Sequence, residues 1–131
     1  MKHFDQREYW RDRLASRVDL STVGHQSLGE SYNRFLYARR FEVLQRVLAL
    51  HGIEPDGSAV LDIGCGSGIY TRFWHDRGTG DYTGVDLSAL GIGALMAQYT
   101  AYHFVRADVT DAGFALSSRA FDVVTLFDVL Y

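Results

Sequence analysis

The chain has one cysteine and one proline in 131 residues, and no apolar run approaching the ~20 residues needed to cross a bilayer. A single thiol, Cys65, cannot form an internal disulfide, so nothing points to an oxidising compartment. The N-terminus, Met1-Lys2-His3-Phe4-Asp5-Gln6-Arg7-Glu8, is charged and lacks the apolar centre of a signal peptide. A surplus of positive charge is also missing. With 13 basic and 16 acidic residues the net charge is −3, which offers no footprint for nucleic acid or an anionic membrane. His3, His25, His51, His75 and His103 show no metal-ligand spacing. The expectation is a cytoplasmic protein with no metal, no nucleic-acid partner and no membrane.

What is present suits one packed domain: 47 % of residues are apolar and 14 % aromatic. The pattern changes near residue 58. Before it the chain reads as helical. Asp5 is placed to cap a first helix carrying Tyr9, Trp10, Arg13 and Leu14, and residues 19–31 read as a loop. A second helix is expected from about residue 32 to 51, because Tyr37, Phe41, Leu44 and Leu48 share one face of a 3.6-residue period. Gly52 suits its end, and Pro55 prevents continuation.

After residue 58, short β-branched runs alternate with helical stretches. Strands are expected at residues 59–63, 81–86, 103–106 and 121–127, with helices through Ile69–Trp74, after Ser88, and briefly around residues 111–116. Strands this apolar imply an α/β fold with a parallel sheet covered on both faces. Right-handed crossovers then bring the functional ends of all the strands to one edge.

The strongest signal is Val60-Leu61-Asp62-Ile63-Gly64-Cys65-Gly66-Ser67-Gly68. Glycines at alternate positions remove side chains where a strand turns into a helix, so a ligand can touch the main chain near the positive end of the helix. The bland alternative is a tight turn that merely needs small residues. It loses ground because the next strand ends in Asp86, 18 residues past Gly68, where a carboxylate can accept both hydrogen bonds of a ribose diol. An NAD-binding loop would read G-x-G-x-x-G. Here its third glycine position holds Ile69, and Asp62 at the strand end also fits that alternative poorly.

Asp62-Ile63-Gly64-Cys65-Gly66-Ser67-Gly68 resembles motif I of the class I S-adenosylmethionine-dependent methyltransferases. Gly84-Val85-Asp86-Leu87-Ser88 is similar to their second motif, Arg106-Ala107-Asp108-Val109 to the third, and residues 121–130 to their fourth strand. The resemblance implies a Rossmann-like sheet with strand order 3-2-1-4 in the part present, and S-adenosylmethionine as cofactor. It also implies roles. Gly64, Cys65 and Gly66 would present backbone to the methionine moiety, with Asp62 beneath it facing the amino group. Asp86 would hold the ribose, and Leu87 would pack on the adenine. Asp108 and the Val109 amide would read the adenine edge, and Phe127 would lie near the sulfonium. The implied activity is methyl transfer to a small-molecule acceptor, a metabolite, lipid or sugar. A non-catalytic cofactor-binding module is the alternative.

Three features are left open by the residues. Cys65 reads as packing and backbone contact rather than as a nucleophile, which would need an activating base. Asp128 is the candidate catalytic residue, either a base or substrate ligand, or else a solvated helix-start residue. Tyr32 and Tyr37 are lid or substrate candidates, because N-terminal helices of the family cross the cofactor edge; the bland reading of their segment is a core face backed by a basic one. Residues 1–57 are thus expected to form an N-terminal helical segment and lid, and residues 58–131 the cofactor-binding half. The family's sheet has seven strands, so the chain reads as a truncation after the fourth, leaving that strand an open edge.

Overall fold

The structure, a computed structural model, describes residues 8–10, 24–25, 27–116 and 119–129. Residues 8–10 are helical; Asp5, Arg13 and Leu14 of the expected first helix lie outside the described residues. The long helix α1 spans Glu30–Leu50. Asn33 fixes its start: Oδ1 accepts from the His25 amide at 2.7 Å, and Nδ2 donates to the carbonyls of His25 and Leu28. Tyr37 and Leu48 are buried, with Phe41 and Leu44 partly buried beside the core, as the 3.6-residue period requires.

Four strands follow, β1 Ala59–Ile63, β2 Asp81–Asp86, β3 His103–Arg106 and β4 Val123–Leu126, with helix α2 at Ile69–His75 and α3 at Ala89–Gln98. They form one parallel sheet in the order β3-β2-β1-β4. The expected α/β, Rossmann-like arrangement is therefore present. Strand β1 is central because its run Val60-Leu61-Asp62 is buried throughout, and β2 is buried from Tyr82 to Val85.

Register assigns the faces. Val60 pairs with Tyr82 and Val123, and Asp62 with Gly84 and Thr125, so these side chains share one face. That face packs on the helices: Leu48 of α1 and Phe73 and Trp74 of α2 enclose Val60 and Tyr82. A second cluster joins Cys65 to Ile92, Leu95 and Tyr99, with Tyr102 and Phe104 touching both clusters. Burial of each large side chain contributes about 1.5–3 kcal/mol, so the helical face carries most of the cohesion. On the opposite face Leu61 and Val85 are buried, while Val124 and Leu126 of β4 are 51 % and 40 % exposed.

Two expectations need correction. Residues 111–116 form turns and irregular chain, not a short helix. Asp108 Oδ1 accepts from both the amide and the hydroxyl of Thr110, and the next amides bond three residues back, Asp111 to Asp108 and Phe114 to Asp111. Such local side-chain bonds compete with helix formation. The fourth strand is also shorter than residues 121–127. Asp122 closes its near end by bonding both ways to Ala59, and the backbone turns at Asp128 (φ 57°). Among the described residues no helix is long and apolar enough to cross a membrane.

Candidate functional site

At the carboxyl end of β1 the chain enters its glycine loop. The amides of Gly64 and Cys65 both donate to the Val85 carbonyl, at 2.7 and 3.2 Å, which ties the loop to β2. Gly64 has φ 81°, and a side chain there would run into Val129; Gly68, also at φ 81°, would collide with Leu95 of α3. Any other residue at either position would be strained by the backbone and would have to displace that neighbour. Gly68 starts α2, whose first amides have no partner within the helix.

Asp86 ends β2 facing this loop. Its Oδ2 accepts from the Gly66 amide at 2.9 Å and its Oδ1 from the Ser88 amide at 2.8 Å. The carboxylate is thereby clamped from both sides with lone pairs to spare. Burial pushes its pKa above the usual carboxylate value, while the main-chain donors act the other way. Ser88 in turn caps α3 by accepting from the Gly91 amide at 3.0 Å.

These groups open onto a cavity of about 220 Å³. Gly64, Cys65, Gly66, Asp86, Leu87, Asp108, Val109, Phe127, Asp128 and Tyr37 all line it. Asp62 and Tyr32 do not. Asp62 lies under the loop, only 1 % exposed, where Tyr82 OH and Thr125 Oγ1 donate to its two oxygens at 2.7 and 2.8 Å. Burial raises its pKa to about 6, against the lowering effect of the two hydroxyls. Tyr32 is 44 % exposed and sets its ring edge-on to His25.

Cys65 is a buried free thiol whose pKa is driven far upward, first by burial and then by Asp62 and Asp86. Both effects disfavour the thiolate, the form in which a cysteine acts as a nucleophile. Among the described residues no group of three or more His, Cys, Asp and Glu side chains is disposed to hold a metal ion.

At the cavity rim the sequence pointed to Tyr37, Phe127 and Asp128 but not to Tyr70, Arg40 or Trp10. Tyr70, from the first turn of α2, stacks on Phe127 at 4.2 Å and presents its ring to Tyr37 and Phe41. Burial pushes the Tyr70 phenol up to about 12, despite the Arg40 cation beside it. Arg40 lies over the Tyr37 ring and forms an ion pair with Asp128. Trp10 also reaches the cavity wall. Position two after the last loop glycine could have pointed to Tyr70. Nothing local marks Arg40 or Trp10, whose place depends on contacts remote in sequence.

A glycine cradle and a clamped carboxylate at adjacent parallel strand ends define a nucleoside-cofactor-binding α/β domain. The clamped Asp86, the apolar wall of Leu87 and Val109 and the glycine loop that lines the cavity at Gly64 and Gly66 fit an adenosyl cofactor bearing an amino-acid tail. Comparison with known proteins agrees. The profile described as a methyltransferase domain matches residues 32–131. The chain belongs to this family, the class I S-adenosylmethionine-dependent methyltransferases.

Among curated relatives, it is 42 % identical over 65 residues to the malonyl-[acyl-carrier protein] O-methyltransferase of Enterobacter lignolyticus (strain SCF1), covering 50 % of this chain and 25 % of that protein. Over 94 residues it is 28 % identical to the protein of the same description from Serratia marcescens, covering 67 % and 36 %. A third, from Pectobacterium atrosepticum, is 35 % identical over 78 residues, covering 60 % and 30 %. The matched segments thus span about a quarter to a third of these relatives.

Proposed function

We propose that the full-length protein transfers a methyl group from S-adenosylmethionine to an oxygen of an acyl group carried on an acyl-carrier protein, with the cavity as the donor site. The observation that carries the donor assignment is the Asp86 carboxylate, clamped by the Gly66 and Ser88 amides opposite the glycine loop. It suits a ribose diol, which needs a fixed acceptor of two hydrogen bonds. The Gly64–Gly66 main chain would meet the methionine moiety, Leu87 the adenine face, and Asp108 and the Val109 amide the adenine edge. Phe127, fixed by its stack on Tyr70, would flank the reacting end.

When bound, the cofactor supplies an electrophilic methyl group on a sulfonium. The protein's share is placement and exclusion of water. In this reading residues 1–57 contribute the lid, through Trp10 and Tyr37, and residues 58–131 the donor-binding half. Asp128 and Arg40 stand at the rim, where an acceptor would enter. The acceptor class is drawn from the relatives, whose names specify a malonyl group on a carrier protein. This reading therefore prefers a protein-borne acyl chain to a free metabolite, lipid or sugar.

The test is methyl-tritiated S-adenosylmethionine offered with malonyl-acyl-carrier protein and, separately, with free malonate. Base-labile label on the carrier protein supports the proposal. Label on the free acid alone returns the acceptor to small molecules. Cofactor binding with no transfer to either would overturn this acceptor assignment.

A further inference from the structure

The cavity wall carries acidic side chains and no basic ones. Asp86, Asp108 and Asp128 line it, and among the described residues that do so there is no lysine, arginine or histidine. Arg106 and Arg40 each touch lining residues from outside, at opposite ends of the sheet. Arg106 ends β3, and its Nε donates to the Leu87 carbonyl at 3.3 Å. Arg40 of α1 stands beyond β4. It lies over the Tyr37 ring, 5.2 Å from the centroid, beside the Tyr70 phenol and in an ion pair with Asp128. Tyr37, Tyr70 and Asp128 all line the cavity.

An acceptor that reacts through a carboxylate meets a difficulty here. Leaving water is costly for a charged group unless a cation and hydrogen bonds replace the solvent, and the aspartates of the wall add repulsion. We propose that Arg40 is the residue that recognises the acceptor carboxylate, and that Asp128 competes with the acceptor for the same guanidinium. The inference rests on the reading of the acceptor as a carrier-borne acyl carboxylate.

The geometry suits an exchange of partners. The Arg40 and Asp128 side chains are 36 % and 41 % exposed, so an anion arriving from solvent reaches both. Their pair runs through Nη1, and a guanidinium offers five N–H donors in a planar fork, which matches a carboxylate edge to edge. The Tyr37 ring holds the cation by its face, so less side-chain freedom is lost when a new anion binds. Asp128 lies past Leu126, the last residue of β4, at φ 57°, and can turn aside without breaking the sheet. A carboxylate is already anionic at neutral pH, so its methylation needs no general base. Asp128 then acts as a gate on Arg40 rather than as a proton acceptor.

The experiment uses the full-length protein loaded with S-adenosylhomocysteine. It compares binding of malonyl-acyl-carrier protein with binding of the same carrier bearing the terminal amide, and follows steady-state methyl transfer to the malonyl form in parallel. The unmutated protein should prefer the carboxylate. Arg40→Gln should abolish that preference and lower kcat/KM by about tenfold or more, chiefly through KM, with cofactor affinity unchanged. Arg40→Lys should restore part of the preference, because it keeps the charge and loses the fork. Asp128→Asn should tighten the carboxylate ligand by about two- to fivefold, the opposite sign to Arg40→Gln. A pair that only braces the fold would weaken both ligands alike in both variants. Equal binding of carboxylate and amide, a preference that survives Arg40→Gln, a loss confined to cofactor affinity, or weaker carboxylate binding by Asp128→Asn would each overturn the inference. Methyl transfer to the carrier by the unmutated protein would in those cases leave the acceptor reading standing. No transfer to the carrier would overturn that reading and this inference with it.

Discussion

At the floor of the cavity, Asp86 and the glycine loop are held by main-chain hydrogen bonds between the ends of β1 and β2. At the rim, Arg40, Tyr70 and Asp128 meet through side chains, and the Arg40–Asp128 pair joins residues 88 apart in sequence. The floor sits on the buried strands of the sheet, whereas β4, which leads to the rim, exposes Val124 and Leu126. The difference teaches where each kind of function resides. A fixed floor suits a cofactor that is the same in every reaction. A side-chain rim can change with the acceptor while the floor stays intact.

The comparison breaks most readily at Gly64. Gly64→Val forces a β-branched residue to φ 81° and into Val129. Cofactor affinity should fall by on the order of 100-fold or more, with at least ~1–2 kcal/mol lost from stability. Calorimetry and thermal melting read both. Asp86→Ala comes next: it should cost about 1–3 kcal/mol of cofactor binding, roughly five- to 150-fold, with the fold retained. An unchanged affinity would remove Asp86 from the site.

Asp62 sharpens the contrast through its sign. Its folded-state pKa is raised from 3.8 to about 6, so the folded state holds the proton more tightly than the unfolded state between those values. Ligand-free stability contributed by this group therefore falls as pH rises through that window and stays low above it. Asp62→Asn should melt higher than the unmutated protein at pH ~7, by on the order of 1–2 kcal/mol, while binding cofactor less well. The rim gives the smallest effect. A double-mutant cycle on Arg40→Gln and Asp128→Asn should show a coupling in stability of under ~1 kcal/mol, because both groups are partly solvated. A coupling of several kcal/mol would make the rim as structural as the floor.

The floor was also the legible part of the sequence. Gly64, Gly68 and Asp86 follow rules of local geometry: no Cβ where the loop turns, an acid where the next strand ends. Strand limits at residues 59–63 and 81–86 followed from buried runs flanked by turn residues. Residues 111–116 break the helical pattern because Asp108 and Thr110 satisfy the backbone through side chains, which a periodicity count does not register. At the rim Asp128 was legible as a candidate, but Arg40 was not, for a different reason. Arg40 falls in a helix whose sequence explains it as a solvated basic face, and its ion-pair partner, Asp128, comes from just beyond β4, far along the chain. Tyr32 and Tyr37 were both lid candidates, but the helical phase that put Tyr37 on the apolar face with Phe41 and Leu48 sends it inward to the cavity and leaves Tyr32 outside.

The most direct test of the cavity as a methyl-donor site is calorimetric titration of the full-length protein with S-adenosylmethionine, S-adenosylhomocysteine and NAD in turn. Saturable binding of both adenosyl cofactors, weakened by Asp86→Ala, with no heat from NAD, is the predicted result. Saturable binding of NAD with no signal from either methionine-derived cofactor would contradict it.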